Sequence, residues 1–215
     1  MREFNPNLFK SLSIFQLRLT KHIDLRNRLR SINTISGADV YYSDDKAKAS
    51  VCVLDYNTLN VLERVVVIDK VNLPYISGYL CFREGFILLK AISKLNLEPD
   101  CFIFDGNGIL HHRRMGLATF LGIILKKPTI GCAKTLLLGD YNQPKRQRGS
   151  FSYIGYQGKK LGAALRTKTG IKEIYVSQGW GISLRKAKNI VLGVCKYRVP
   201  EPLRLAHLYS KPKIW

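Results

Sequence analysis

Acidic residues are scarce in this chain: 15 Asp and Glu stand against 35 Lys and Arg in 215 residues, a formal charge of +20. That imbalance favours a polyanionic partner, nucleic acid first, over a merely basic soluble protein. Long apolar runs are missing too, so no transmembrane segment is expected. The N-terminus has no hydrophobic centre of the kind a signal peptide needs; its arginines leave a weak transit-peptide reading, against which a basic surface helix is preferred. Cysteines at metal or redox spacing are also lacking. Cys52, Cys81, Cys101, Cys132 and Cys195 form no CxxC, and at least three sit in apolar runs. They are expected to be reduced core residues of a cytoplasmic protein, not zinc ligands or a disulfide framework. Repeats, low-complexity tracts and linkers are absent as well. One domain over residues 1–215 is therefore expected, with 1–30 as a peripheral basic helix.

What is present reads as α/β. Leu12, Phe15, Leu19, Ile23 and Leu29 fall at roughly helical spacing over 9–30, with Lys and Arg between them. Strand-like runs at 34–42, 49–56 and 61–68 are joined by the turn-like Ser43-Asp44-Asp45-Lys46 and Asn57-Thr58-Leu59-Asn60, which predicts an antiparallel meander. A helix is expected over about 77–95. After a polar loop at 139–149, a hairpin is expected over 151–156 and 161–167, then a short strand at 173–176. Ser183 should cap a helix running from 184 to about 196.

The centre of the chain is 100–134. Cys101-Phe102-Ile103-Phe104 is too short for a helix and rich in strand formers, and it ends on Asp105 before Gly106-Asn107-Gly108. His111, His112, Arg113 and Arg114 follow, then a helix-like segment at 115–125 and a second strand at 128–132, close to Lys134. Strand, helix, strand is a βαβ unit, whose ligands gather at the carboxyl ends of the strands. A carboxylate, a glycine turn, basic residues and a lysine at one rim suit a divalent cation holding phosphate; a surface turn with an Asp cap explains the same residues.

Three acids occupy positions normally given to apolar side chains. Asp39 lies among Ala38, Val40 and Tyr41 in the first strand. Glu84 shares a helix face with Leu80, Cys81, Ile87 and Leu88, and Asp105 ends a strand. Burying a carboxylate is costly without compensation, and neighbouring carboxylates stay ionised together only around a cation. An all-oxygen set suggests magnesium or manganese, and in so basic a protein that suggests phosphodiester hydrolysis.

From about 35 to 208 the sequence resembles the endonuclease V family. The likeness lies in GADVYY around Asp39, PYISGYLCFREG around Glu84, FDGNGILHHRRMGLATFLG from Asp105, PTIGCAK to Lys134, LGAALRT, YVSQGWGIS and YRVPEPLRLAH. The resemblance implies a ribonuclease H-like fold, a mixed five-stranded sheet with an antiparallel meander and flanking helices. It implies a metal-dependent endonuclease that cleaves the second phosphodiester bond 3′ to deoxyinosine, or to inosine in RNA. Asp39, Glu84 and Asp105 would hold Mg²⁺, with Mn²⁺ able to substitute. Lys134 would lie near the scissile phosphate and His111 beside the site. Pro74, Tyr75 and Ile76 would form a wedge that displaces the base, while Gly78, Gly106 and Gly108 would let backbone approach the purine. The expected partner is inosine-containing DNA or RNA, bound by a monomer.

Departures from the family pattern open a second reading. Ser177-Gln178-Gly179-Trp180 stands where the family writes SPGH, with a histidine taken to lie beside the metal; Asn107 and Ser77 also differ. If Trp180 excludes a ligand there, the chain is an impaired relative that binds inosine without cutting well. A basic RNA-binding structural protein would explain the charge but not the three acids.

Overall fold

A computed structural model describes residues 6–43, 45–71 and 73–211. Its elements are helices α1 (Pro6–Leu19), α2 (Leu80–Ile92), α3 (Leu117–Leu125), α4 (Leu184–Gly193) and α5 (Glu201–Ser210). The strands are β1 (Thr34–Ser43), β2 (Lys46–Asp55), β3 (Val61–Lys70), β4 (Cys101–Asp105), β5 (Thr129–Ala133), β6 (Phe151–Tyr156), β7 (Lys159–Leu165) and β8 (Ile174–Trp180).

The strands form one mixed sheet in the order β3-β2-β1-β4-β5-β8-β7-β6. The meander pairs antiparallel as expected, and β1, β4 and β5 run parallel. Parallel strands covered on both faces need apolar side chains on both. In β4, Cys101 and Ile103 enter one core with Leu203 and Val191, whereas Phe102 and Phe104 enter the other with Leu88, Leu117 and Leu121. The sheet is thus the middle of three layers, with α4 and α5 below and α1, α2 and α3 above.

The expected five strands are corrected to eight. The first five in spatial order match that expectation, but β5 does not end the sheet. Residues Ile174–Trp180 are buried along nearly their whole length, so this strand is flanked by partners on both edges. It pairs antiparallel with β5 on one side and β7 on the other, and β6 follows as the far edge. Read alone, the 151–165 hairpin gave no sign of which strand it would join.

Helix boundaries shift for local reasons. The first helix stops at Leu19, followed by a 3₁₀ turn at Thr20–His22 and extended Ile23. Asp24 then accepts the Arg26 backbone N–H and the Arg26 and Arg28 guanidiniums, a local arrangement that competes with helix. The second helix begins at Leu80, because Gly78 at φ +83° cannot continue one. Gly116 is extended before α3, which delays that start to Leu117. In the turn between β1 and β2, Asp44 lies outside the described residues, as do residues 1–5 of the basic N-terminal segment. All five cysteines are buried thiols, as expected, and no helix among the described residues is long and apolar enough to cross a membrane.

Candidate active site

Two of the three acids meet because their strands are neighbours in register. β1 and β4 pair Gly37 with Ile103 and Ala38 with Phe104, which brings Asp39 level with Asp105 at the carboxyl ends of both strands. By the two-residue period, both side chains share the face that holds Ile35, Cys101 and Ile103. Helix α5 covers that face. It comes so close that a Cβ on Gly37 would sit 2.2 Å from the Pro202 carbonyl carbon. The contact places the end of α5 against Asp39, where Ser210 Oγ donates to Oδ2 at 2.7 Å and His207 Nδ1 lies 3.1 Å from the same oxygen.

Glu84 reaches the same rim from α2 on the opposite face. Its carboxylate accepts from the Tyr42 hydroxyl at 3.2 Å. Burial first, then the charge of Asp39, with Asp105 adding to them, push the Glu84 carboxyl up to about 8. Burial and, after it, repulsion among the acids both disfavour the charged form, and a cation facing the set offsets both. Lys134, just beyond β5, supplies part of that charge, with Nζ 2.5 Å from Asp105 Oδ2. Burial pulls its ammonium down, but Asp105 and Asp39 outweigh that and hold it above the usual lysine range. Arg198 fixes the lysine from behind by donating to the carbonyls of Lys134 and Glu173, both at 3.0 Å.

Among the described residues no three acidic, histidine or cysteine side chains already converge closely enough to ligate one ion. By chemistry the donors suit a hard divalent cation: carboxylate oxygens from Asp39, Asp105 and Glu84, no thiolate, and a repulsion that a cation relieves.

Between the start of α2 and the loop that follows Asp105 lies a small cavity of about 60 Å³, with Tyr75, Gly78, Asn107, His111 and Leu137 in its wall. Tyr75 is 67% exposed. His111 is buried, with its tautomer set by its neighbours: Nδ1 accepts the Arg113 backbone N–H at 3.1 Å, leaving Nε2 to donate to the Gly78 carbonyl at 3.1 Å. Burial, then the Arg113 charge, hold its imidazole down at about 4. On the other side of His111 opens a cleft of about 570 Å³ lined by His112, Arg114, Tyr156 and Lys159, with no acid in its wall among the described residues.

Of the glycines expected to face a purine, Gly78 alone lines the cavity. A Cβ on Gly108 would lie 1.9 Å from the Gln178 carbonyl oxygen, so this glycine lets the loop cross β8; a Cβ on Gly106 would make only ordinary contact with Leu80 and Leu117, and glycine is needed there for its φ of +147°. The larger correction concerns Trp180. It pairs with Thr129 at the start of β5, whereas Asp105 pairs with Cys132 near that strand's end. Three residues of strand, about 10 Å, separate the two rows. The indole N–H donates to the His22 carbonyl at 3.1 Å, and Arg28 lies 5.5 Å from the ring centre. Trp180 therefore does not border the acids, and the impaired-relative reading loses the residue that motivated it.

His207, Ser210 and Gln16 are the side chains that sequence reasoning missed. For the first two a signal existed: Leu203, Ala206 and Ser210 repeat at helical spacing after Pro200, which would have placed a helix there. Its docking on β1 follows only from Gly37, which no local pattern reveals.

A family model described as Endonuclease V matches residues 17–208. The Endonuclease V of Dictyoglomus turgidum is 45% identical over 197 residues, covering 91% of this chain and 86% of its own. The crystal structure of the Bacillus subtilis Endonuclease V is 36% identical with a TM-score of 0.88, over 97% of this chain and 92% of that one. The Ciona intestinalis Endonuclease V, solved with a 24mer DNA containing an inosine followed by a ribo-adenosine, gives a TM-score of 0.84 at 28% identity, over 95% and 96% of the two chains.

Proposed function

Because this chain belongs to the endonuclease V family, we propose that it is a magnesium-dependent endonuclease that cuts inosine-containing DNA or RNA at the second phosphodiester bond 3′ to the inosine. The observation that carries this reading is the level placement of Asp39 and Asp105 on adjacent strands, with Glu84 brought to the same rim from the other layer. A divalent cation held by these carboxylates would polarise the phosphate and lower the pKa of a water.

The chain's own residues do the rest. Ser210 and His207 both hold Oδ2 of Asp39, which leaves Oδ1 to serve a cation. Lys134 stands at Asp105, where its ammonium can turn to a phosphate oxygen and offset the charge that develops on it. Tyr75 is exposed at the mouth of the small cavity, so it can occupy the gap in the stack left by a displaced base. An inosine pair is weaker than a guanine pair, so its displacement costs least. The acid-free cleft with Arg114 and Lys159 offers phosphates of the flanking strand a cationic path.

The test is incubation with matched DNA and RNA oligonucleotides carrying one inosine, with Mg²⁺, with Mn²⁺ and with chelator. Scission one nucleotide beyond the inosine on its 3′ side, leaving 3′-hydroxyl and 5′-phosphate ends and lost in chelator, is expected. Cutting that survives chelator, or that ignores the inosine, refutes the proposal.

A further inference from the structure

The segment proposed to displace the base is held by a residue that lies just before the span of the family model, 17–208. Gln16, on α1, is fully buried, an expensive place for an amide unless every polar atom is used. Its Nε2 lies 3.1 Å from the Gly78 carbonyl, 3.0 Å from the Met115 carbonyl and 3.2 Å from Cys81 Sγ. Its Oε1 accepts from Arg113 Nε at 2.5 Å. One side chain thus ties together the turn after Tyr75, the start of α2 and the strand-to-helix loop of the βαβ unit.

The Gly78 carbonyl is the centre of this arrangement. It receives Gln16 Nε2, His111 Nε2 and an Arg113 guanidinium N–H at 2.8 Å. Gly78 itself holds a left-handed φ of +83°, which glycine adopts without strain but shares with many other conformations, so these hydrogen bonds select the one the turn takes. Helix α1 also grips the next residue: Ser13 Oγ lies 2.6 Å from the Tyr79 hydroxyl, and the Phe9 ring meets the Tyr79 ring edge-on at 5.3 Å. A helix that only covered apolar surface would place leucine where Gln16 stands. The amide is used to fix backbone, and the backbone it fixes runs directly into Pro74-Tyr75-Ile76.

We propose that Gln16 is a positioning residue for base displacement, holding the Gly78 turn so that Tyr75 stands at the mouth of the small cavity. The inference rests on the endonuclease reading for what Tyr75 does, and on geometry alone for what Gln16 holds. It predicts a substrate dependence that general stability does not. A base in a duplex must be levered out, whereas a base in a single strand is already free.

The experiment compares wild type with Gln16→Met, which keeps length but no amide, and Gln16→Glu, which keeps the acceptor for Arg113 but no N–H for Gly78 or Met115. Hydrogen exchange of residues 75–79 is measured on the free protein. Cleavage in Mg²⁺ is measured on inosine in duplex and in single-stranded DNA. Both variants are expected to speed exchange in 75–79 by about tenfold while the amides of β4 and α3 keep their protection. Cleavage efficiency is expected to fall about tenfold on the duplex and less than about twofold on the single strand. Unchanged exchange at 75–79, or equal losses on the two substrates, overturns the proposal. Should Gln16→Met fail to fold, Gln16→Glu decides by the same two readouts. If wild type cuts neither substrate, the endonuclease reading fails, and the exchange measurement still decides whether Gln16 holds the turn.

Discussion

At the residue scale the acids carry the strongest expectations. Asp39→Asn and Asp105→Asn each remove a charge that a cation needs, and at saturating substrate cleavage should drop by on the order of 10²–10³. Binding to inosine oligonucleotide in chelator should hold or improve, since a negative charge near phosphate is gone; fluorescence anisotropy measures this, and near-normal cleavage in either variant would end the metal assignment. Trp180→His makes the opposite kind of change. The side chain sits about 10 Å along the strand from the acid row, so cleavage should stay within about twofold. Loss of the His22 hydrogen bond and the Arg28 contact should cost about 1 kcal/mol in denaturant unfolding. A large rate change would return Trp180 to the site. His111 gives a pH prediction. Its folded-state value near 4 lies below that of an unfolded chain. The unfolded chain therefore binds the proton first, so this contribution is complete above about pH 6.5 and fades as pH falls toward 4. Melting temperatures from pH 7 to 4 should fall less steeply in His111→Gln than in wild type; parallel curves would show that the imidazole is not held neutral.

At the scale of elements, α5 should be the most sensitive to a single methyl group. Gly37→Ala would place Cβ inside the Pro202 carbonyl group, and overpacking of this kind costs roughly 1–3 kcal/mol. Because the same helix carries His207 and Ser210, cleavage should fall together with the melting temperature. Intact cleavage in a destabilised Gly37→Ala would show that those two side chains are dispensable. This contact also marks the limit of what the sequence disclosed. The gathering of Asp39, Glu84, Asp105 and Lys134 at one rim was legible, the acids because each puts a charge on an apolar face or at a strand end, and Lys134 because it follows the second strand of the βαβ unit. The meander and the βαβ unit were legible because their turns and periods are local. What stayed hidden depends on distant partners: the strand that β8 would join, the helix that would cover β1, and the role of an amide at position 16. Trp180 was misplaced for the same reason. Its motif sits in a strand antiparallel to β5, which reverses the end at which its residues lie.

For the whole molecule, charge sets the dominant behaviour. At +20, phosphate contacts should release many counterions, and neutralising six phosphates would cost roughly 10³ in affinity between 50 and 200 mM salt. A log–log plot of affinity against salt for an inosine duplex tests this; a flat line would argue against backbone contacts as the source of binding. The order in which the elements are synthesised has a further consequence. Asp39 comes early in the chain, but the side chains that hold its oxygen come from α5, near the other end. A chain still being translated has β1 without its covering helix, so its acid pair has neither support nor shelter. The acid pair of the proposed site is therefore completed only once the chain has been made through Ser210 and α5 has docked on β1.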